Sequence, residues 1–291
     1  MAKSSKRRQN NTGASAKKQL KRILTHANAQ SNPLTALPST FRTVKIAPHK
    51  SIAGETKNNN DDDAPTQSAT IHYYKSPLPE SILTQCLVLF EANMGDMYRN
   101  SEWGLDMEEK RKELLHEDAR FLIIILDDHN DNNDCGENHT ALPSNDIDAN
   151  DNADNDQTAT NDTNDTQQKE AVIGFAHFRY EPDEDSPHNP LSPITYLYEL
   201  QISHSFTSHG LGRTLMTLIE LLSMQLDMTK VILTVFKCNT GAMRFYLHKL
   251  KGYDVDECSP SNFEGEEDVD YEILSKRIMS GTKKSGGSGS G

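Results

Sequence analysis

One continuous stretch of the sequence, residues 194–236, constrains the fold more than any other. It runs from an apolar strand pattern, "ITYLYELQIS", through a glycine-containing turn and a helical pattern into a second apolar strand, "KVILTVF". Strand, helix and strand in this order form a β-α-β unit, whose strands lie parallel in one sheet with a right-handed crossover. A helical stripe that must cover this sheet is formed by Leu211, Leu215, Leu218, Ile219 and Leu222.

Further elements are expected on both sides of this unit, which makes the domain a mixed α/β one. The run "RFLIIIL" is typical of a strand buried on both faces, and Asp106 is a suitable N-cap for the helix that follows it. The predicted elements are helices starting at Pro79 and spanning 106–117 and 240–250, and strands over 120–126, 171–180, 253–257 and 270–276.

Other parts of the chain are too polar to form a core. Hydrophobic residues make up 35% of the sequence, which is low for a chain that folds throughout. Residues 127–168 contain twelve Asp or Glu and no Lys or Arg. The predicted organisation is a disordered basic arm and linker over 1–70, a domain over 71–278 with a disordered acidic loop insertion at 127–169, and a flexible Gly/Ser tail at 279–291.

The basic arm bears on location and partners. Residues 1–25 carry eight Lys or Arg and no acid, which is typical of a nuclear-import signal or a weak nucleic-acid contact, and equally of a solvated tail. No stretch reaches the roughly 18 apolar residues of a membrane span. The four cysteines lack metal-ligand spacing, so neither a metal nor a disulfide is expected. The chain is expected to be a soluble monomer of nucleus and cytoplasm that requires no direct nucleic-acid or membrane partner.

The glycine turn "SHGLGRTL" precedes the helix of the β-α-β unit. A helix start presents free N–H groups and the positive end of the helix dipole, so Gly210 and Gly212 fit a pyrophosphate better than a plain turn. The dinucleotide fingerprint requires a third glycine where Leu215 stands. The phosphate loop requires Gly-Lys-Ser/Thr where Gly212-Arg213-Thr214 stands, so neither of these motifs matches.

The same turn, followed by "LTVFKCNTGAMRFYLHKLKGY", resembles the acetyl-CoA motif of the GNAT acetyltransferases. That family has Gln/Arg-x-x-Gly-x-Gly/Ala and then Asn-x-x-Ala-x-x-Phe-Tyr, and Asn239, Ala242, Phe245 and Tyr246 match the second element. Thr207 replaces the first Gln or Arg, so one pyrophosphate contact is lost or becomes a hydroxyl contact.

A closer resemblance is to the NatD branch, N-terminal acetyltransferases of histone tails that begin Ser-Gly-Arg-Gly. It rests on "NMGDMYRNSEWG", "AHFRYE", "YLYELQ", "KVILTVFKCN", and "CSPS" followed by "DYEIL", which spread over residues 75–277. The resemblance implies a GNAT acyl-CoA N-acyltransferase fold, with a mixed, mostly antiparallel sheet splayed at a central parallel strand pair and helices on both faces. It implies acetyl transfer from acetyl-CoA, without a metal, to the N-terminal Ser of tails of the H4 and H2A type.

The resemblance also assigns roles to residues. The cofactor would be held by the backbone of Leu200, Gln201 and Ile202, by the turn residues Ser208, His209, Gly210, Leu211, Gly212 and Arg213, and by Asn239. Glu199 would be the base, with Tyr198 beside it and Tyr246 as proton donor to the leaving thiolate. The substrate's first residues would lie between Tyr98, Trp103, Glu181, Tyr196, Tyr198, Thr234 and Tyr271.

The chemistry sets its own conditions. A peptide α-amine has a pKa of about 7.7 to 8.0, so one weak base suffices. The oxyanion requires fixed donors, such as backbone N–H groups left unpaired where two strands splay. Tyr198 and Glu199 are adjacent and would face opposite sides of a regular strand, so a β-bulge or a splay is expected there.

Alternatives remain open from the sequence. Tyr246 is as readily a core aromatic, and Glu199 could be an ordinary strand carboxylate. The same fold could acetylate a lysine side chain or a small amine, although lysine, with a pKa of about 10.4, requires a stronger base or a wider slot. A non-catalytic module that binds histone tails is the third alternative, and Thr207 favours it.

Overall fold

The computed structural model of the chain describes residues 3–47, 66–127, 170–189, 191–265 and 268–278. The helices are α1 (Lys3–Ala29), α2 (Glu80–Arg99), α3 (Met107–Leu114), α4 (Leu211–Gln225) and α5 (Thr240–Arg244), the last continued by a π-helical turn, Phe245–Lys249. The strands are β1 (Thr43–Ile46), β2 (Gln67–Lys75), β3 (Arg120–Leu126), β4 (Ala171–Pro182), β5 (Pro193–Ile202), β6 (Lys230–Phe236), β7 (Asp254–Val255) and β8 (Tyr271–Arg277).

All eight strands form one mixed sheet in the order β1-β2-β3-β4-β5-β6-β8-β7. Every neighbouring pair is antiparallel except β5 and β6, which are parallel as the β-α-β pattern predicts. That parallel pairing covers only Ile194–Leu197 against Lys230–Leu233, although β5 continues to Ile202 and β6 to Phe236. The two central strands therefore separate beyond Leu197 and open a wedge.

Helices cover both faces of the sheet. The alternation along β3 is the clearest case, because Phe121 and Ile123 pack under α2 and α3 while Leu122 and Ile124 face the core on the side of α1 and α4. The predicted strand buried on both faces is confirmed. Asp106 also caps α3 as expected, since its Oδ1 accepts hydrogen bonds from the N–H groups of Glu108 and Glu109.

The N-terminal part of the chain differs from the expectation of a disordered arm and linker over 1–70. Residues 3–47 include α1 and β1; Leu20 of α1 is buried, and Ala27 lies in the core beneath the sheet. Side chains of β2 and β3 bind the end of α1 through hydrogen bonds. Arg120 donates to the side chain and the carbonyl of Asn28, and Lys75 donates to the same carbonyl. The polar composition of residues 1–70 hid the short apolar stripe that makes this contact.

Three other predicted segments lie mainly outside the described residues. They are the linker over 48–65, the acidic insertion from residue 128 to 169, and the tail over 279–291. Within the described part of the chain, no helix has the length and apolar character needed to span a membrane.

Candidate active site

A cavity of about 70 Å³ fills the wedge between β5 and β6. It is closed by α2 on one side and by the π-helical turn on the other. Its lining residues are Met94, Tyr98, Trp103, residues 197–201, residues 233–236, Asn239, Ala242 and Tyr246. The cavity thus brings together predicted base, cofactor and substrate residues that are separated by up to about 150 positions in the sequence.

A β-bulge decides which side chains of β5 reach this cavity. The β4–β5 register pairs His177 with Glu199 and Phe178 with Leu197, so Tyr198 is the extra residue on β5. Because of that extra residue, the adjacent side chains of Tyr198 and Glu199 both line the cavity. The irregularity that the two adjacent residues require is confirmed.

Glu199 lies at the buried end of the cavity, and both of its oxygens are held. Lys110 Nζ donates to Oε1 at 2.8 Å, and Gln201 Nε2 donates to Oε2 at 2.7 Å. The side chain of Glu199 is only 5% exposed. Burial raises the pKa of Glu199 above its ordinary value, while Lys110 acts in the opposite direction. A carboxylate in this setting is a stronger base than an exposed one.

Lys110 was not among the residues singled out from the sequence. Its side chain is 7% exposed, and its ammonium is ion-paired with Glu199 and Glu113 and lies 4.6 Å above the centre of the Phe90 ring. Burial lowers the pKa of Lys110, but Glu199 and Glu113 outweigh that effect and raise it overall. A signal did exist, because Lys110 lies one helical turn before the buried Leu114, on the only face of α3 that enters the core.

His177 lies next to Glu113 of this ion-paired group and was also missed. Its ring is fully buried between the rings of Phe121 and Tyr198, at centroid distances of 5.0 and 4.9 Å. Glu113 Oε1 lies 3.6 Å from His177 Nδ1, just beyond hydrogen-bond distance. Burial lowers the pKa of His177 to about 4, against the pull of Glu113.

Tyr198 lines both the cavity and a neighbouring groove, and Tyr196 lines the groove. The Tyr198 hydroxyl donates to Glu181 Oε1 at 2.9 Å, and Tyr196 and Thr234 share a 2.6 Å hydrogen bond across the splayed strands. Burial first, and then the charge of Glu181, raises the pKa of Tyr198, so this phenol stays protonated. These four residues were predicted to form one substrate site, and the structure brings them together.

The groove itself has a volume of about 490 Å³ and is strongly acidic. Tyr198 lines both the groove and the cavity in the wedge, so the two are neighbours. The acidic side chains along the groove are Glu181, Asp183, Glu184 and Asp185. This wall of the groove attracts cations.

Aromatic rings form the opposite wall of the cavity. The Trp103 ring lies 6.0 Å from that of Tyr98 and 5.3 Å from that of Tyr271, measured between centroids. Phe236, which sequence reasoning missed, joins the cluster at 4.9 Å from Trp103 and 5.2 Å from Tyr98. Trp103 is 49% exposed, so it is the outer edge of this wall rather than a core residue.

The glycine turn has the geometry of an anion site. Gly210 is the N-cap of α4 with φ +80°, and a side chain there would project into open space. Gly212 lies in the first turn of α4, where a β-carbon would meet the Phe245 ring at 3.4 Å. The first hydrogen bond of the helix runs from Thr214 N to Gly210 O, so the N–H groups of residues 211–213 have no acceptor within the helix. Donors of this kind fit a pyrophosphate.

Side chains around the turn have more local roles. The Thr207 hydroxyl donates to the carbonyl of His204 at 2.9 Å, so it cannot also donate to a phosphate. His209 contacts the carbonyls of Thr207 and Ala47, and Arg213 donates to the carbonyl of Lys249. Ser208 adopts φ +68°, which shapes the turn.

The remaining predicted residues lie at the edge of the wedge. Asn239 accepts from Ala242 N and caps α5, while its amide group points to Met94 Sδ at 3.8 Å. Tyr246 is buried on the π-helical turn and lines the cavity; burial, followed by the charge of Glu199, raises the pKa of Tyr246, so the phenol stays protonated. Leu200 and Gln201 line the cavity, whereas the carbonyl of Ile202 accepts a hydrogen bond from Asn93.

Comparison with known families agrees with this architecture. The model of the acetyltransferase (GNAT) family matches residues 125–253, from the end of β3 to the residue before β7. The described strands and helices of this range have the GNAT fold. The expected fold is confirmed: a mixed, mostly antiparallel sheet with one parallel pair and helices on both faces.

Solved structures similar to this GNAT domain include three acetyltransferases. NAA60 of Arabidopsis thaliana, in complex with a bisubstrate analogue, is 14% identical over 72% of this chain and 100% of that chain, with a TM-score of 0.42. The NatC complex bound to Gag peptide and CoA is 13% identical over 72% and 99%, with a TM-score of 0.40. An N-acetyltransferase of Thermoplasma acidophilum in complex with coenzyme A is 14% identical over 72% and 99%, with a TM-score of 0.39.

The described residues also bear on the question of a metal. Among them, no group of three or more His, Cys, Asp or Glu side chains could hold a metal ion. Cys86, Cys238 and Cys258 are free thiols.

Proposed function

We propose that this GNAT domain transfers the acetyl group of acetyl-CoA to the N-terminal serine of histone tails that begin Ser-Gly-Arg-Gly. The observation that carries the proposal is the pairing of a buried carboxylate, Glu199, with an acidic groove that meets the same cavity at Tyr198. The carboxylate supplies the base, and the groove suits a substrate whose third residue is an arginine.

The residues present fit acetyl-CoA. The free N–H groups of residues 211–213, reached over the bare Gly210, suit the pyrophosphate, and the amide group of Asn239 faces the wedge. When bound, acetyl-CoA supplies an activated acyl group at the wedge. Glu199 accepts the proton of the α-amine, directly or through a water molecule, and Tyr246 holds a proton close to where the thiolate would leave. Thr207 leaves the pyrophosphate to backbone donors, which predicts weaker cofactor binding than a Gln or Arg there would give.

Hydroxyl groups and the acidic groove support the choice of peptide. Thr234 and Tyr196 place two hydroxyls together where the strands splay, within reach of a serine side chain in the wedge. Glu181 is half-buried and already accepts from Tyr198, which fixes it for pairing with an arginine. The chain would act on such tails as a monomer in nucleus and cytoplasm.

A steady-state assay with acetyl-CoA and two peptides tests the proposal. One peptide begins Ser-Gly-Arg-Gly with a free amine, and the other is identical but N-terminally blocked and retains its lysines. We expect turnover on the free peptide alone and a loss of about 10²- to 10⁴-fold in Glu199→Gln, as for removal of a general base. Glu117→Gln, an exposed carboxylate, is the control.

The other outcomes lead to different assignments. Turnover on the blocked peptide would indicate a lysine acetyltransferase. If neither peptide reacts although acetyl-CoA binds in a calorimetric titration, the chain would act on another substrate or serve as a binding module.

A further inference from the structure

Lys110 is the one cation in ion-pair contact with Glu199 among the described residues. Its Nζ lies 2.8 Å from Glu199 Oε1, and 2.9 and 3.1 Å from the two oxygens of Glu113. Three hydrogen-bond donors of one ammonium are thus shared between two carboxylates. The ammonium therefore fixes where Glu199 Oε1 lies.

We propose that Lys110 is a positioning residue for the base: its ammonium holds the carboxylate of Glu199 in one orientation and in its charged form, ready to accept a proton from the substrate amine. This inference rests on the proposed function of Glu199. Lys110 itself is absent from the residues that line the cavity, so it acts through Glu199 rather than on the substrate.

Burial explains why the base requires such a partner. A carboxylate with almost no access to water is driven toward its neutral form, which cannot accept a proton. The faces of Phe90 and Tyr98 lie 4.6 and 5.5 Å from the ammonium and keep water away from this side. Gln201 is a neutral donor, so its hydrogen bond to Glu199 lacks the charge–charge attraction that the ammonium of Lys110 adds. Lys110 is therefore the main interaction that favours the ionised base.

Glu113 acts on the protonation of Glu199 in the direction opposite to Lys110. It competes with Glu199 for the same ammonium and adds a negative charge nearby, and it is more exposed than either partner. Removing Lys110 and removing Glu113 should therefore shift the protonation of Glu199 in opposite directions. The titratable groups that face Glu199 from the surrounding elements are Lys110, Glu113, Tyr98, His177 and Tyr246.

The test measures the protonation of Glu199 without any substrate. Infrared spectra of the full-length protein across pH show the carbonyl stretch of protonated carboxyl groups, and the part lost in Glu199→Gln belongs to Glu199. In Lys110→Met we expect this band to persist to higher pH, because the neutralising cation is gone. In Glu113→Gln it should disappear at lower pH than in wild type. Lys110→Arg, which keeps the charge, should restore the wild-type midpoint.

Kinetics with the free-amine peptide supply the second readout. The acidic limb of kcat/KM should move to higher pH in Lys110→Met, so that the loss is largest below neutral pH and shrinks as pH rises, about tenfold for each unit of displacement. Lys112→Met, which removes an exposed ion pair with Glu109 on the same helix, should leave the limb unchanged.

Each outcome is decisive for one of the two proposals. A purely structural Lys110 would lower stability and activity equally at all pH values and leave the Glu199 band in place, which would overturn the inference. Because loss of one partner of a buried ion pair destabilises a fold, the opposite shift in Glu113→Gln keeps the test valid if Lys110→Met does not fold. Shifted bands without peptide turnover would contradict the proposed function and leave the role of Lys110 intact.

Discussion

His177 illustrates how a single buried residue links the site to the stability of the fold. The ring is stacked beneath Tyr198, and neither of its nitrogens has a hydrogen-bond partner within the described protein. Because burial lowers its pKa from 6.5 to about 4, the folded state keeps the ring neutral at pH values where the unfolded chain binds a proton. The contribution of His177 to the free energy of unfolding is therefore fully present above about pH 6.5 and is lost as the pH falls toward 4.

The lowered pKa of His177 should make the fold less stable in mild acid. Between pH 7 and pH 5, His177 should lower the free energy of unfolding by about 2 kcal/mol, and His177→Phe, which keeps a ring in the stack, should remove that part of the pH dependence. Urea unfolding at the two pH values measures it. His72→Gln, an exposed histidine on β2, is the control and should keep the wild-type slope. An unchanged slope in His177→Phe would show that the ring is already protonated or solvated in the folded protein.

Among single residues of the candidate site, those in short linear motifs were easier to predict than their neighbours. Glu199, Asn239 and Tyr246 each stand in such a motif, and all three line the cavity. Lys110 and Phe236 were missed, since their proximity to the cavity depends on where α3 and the end of β6 lie in the fold. A motif records neighbours along the chain, whereas ion pairs and ring contacts join positions far apart in it.

At the scale of elements, α1 is the main correction to the sequence interpretation. Leu20, Ile23, Leu24 and Ala27 recur at helical spacing. The last three contact the core beneath the sheet, and Leu20 is buried on the same face of the helix. The arm has eight basic residues and only four apolar residues in this stripe, so its composition alone indicated a solvated tail. Removing residues up to about 68 would expose the covered face, so a shortened chain tests stability as well as targeting.

Leu20→Ala provides the cleaner test of whether α1 packs in solution. We expect it to lower the free energy of unfolding by about 2 kcal/mol, the lower end for truncating a buried leucine, because Leu20 is close to the surface. Lys18→Ala, on the exposed face of the same helix, should change it by less than about 0.5 kcal/mol. Chemical denaturation compares the two. If the two variants have the same free energy of unfolding, residues 13–29 form a solvated arm that does not pack on the domain.

The remaining elements followed closely from periodicity. β3 and β6 have the bounds that their apolar runs predict. α4 begins at Leu211, so Gly212, which was expected to precede the helix, lies in its first turn. The helix predicted over 240–250 ends early as α5 and continues as a π-helical turn. No local pattern indicated that turn; π-helical turns are frequent at functional sites, and this one carries Tyr246 into the cavity wall.

On the scale of the whole molecule, charge is divided unevenly along the chain. The formal net charge is −13, and the segment over 127–168 carries twelve acidic residues and no basic ones. A basic peptide approaching the acidic groove would be attracted at long range by this segment, in addition to the contacts in the groove. Such steering is screened by salt within about 10 Å at 0.1 M ionic strength.

If the acidic segment steers the peptide, the salt dependence of kcat/KM should require the charges of that segment. The kcat/KM for the free-amine peptide should fall as ionic strength rises in wild type, and fall much less when the acidic residues from 128 to 168 are replaced by their amides. Asp127 is kept, because its Oδ1 accepts a hydrogen bond from Thr70. If kcat/KM depends on ionic strength equally in the two proteins, the segment is a spacer. The groove alone would then attract the peptide.

The sequence by itself determined the β-α-β unit and its parallel strand pair, because the spacing of apolar residues over 194–236 fits one order of strand, helix and strand. It also marked the glycine turn and Glu199 as candidate site residues. Only the tertiary structure decided that β5 and β6 part beyond Leu197, that the extra residue at Tyr198 turns two adjacent side chains to one cavity, and that Lys110 meets Glu199. These features depend on strand register and on a helix docking across the sheet, and both are set by packing between distant parts of the chain.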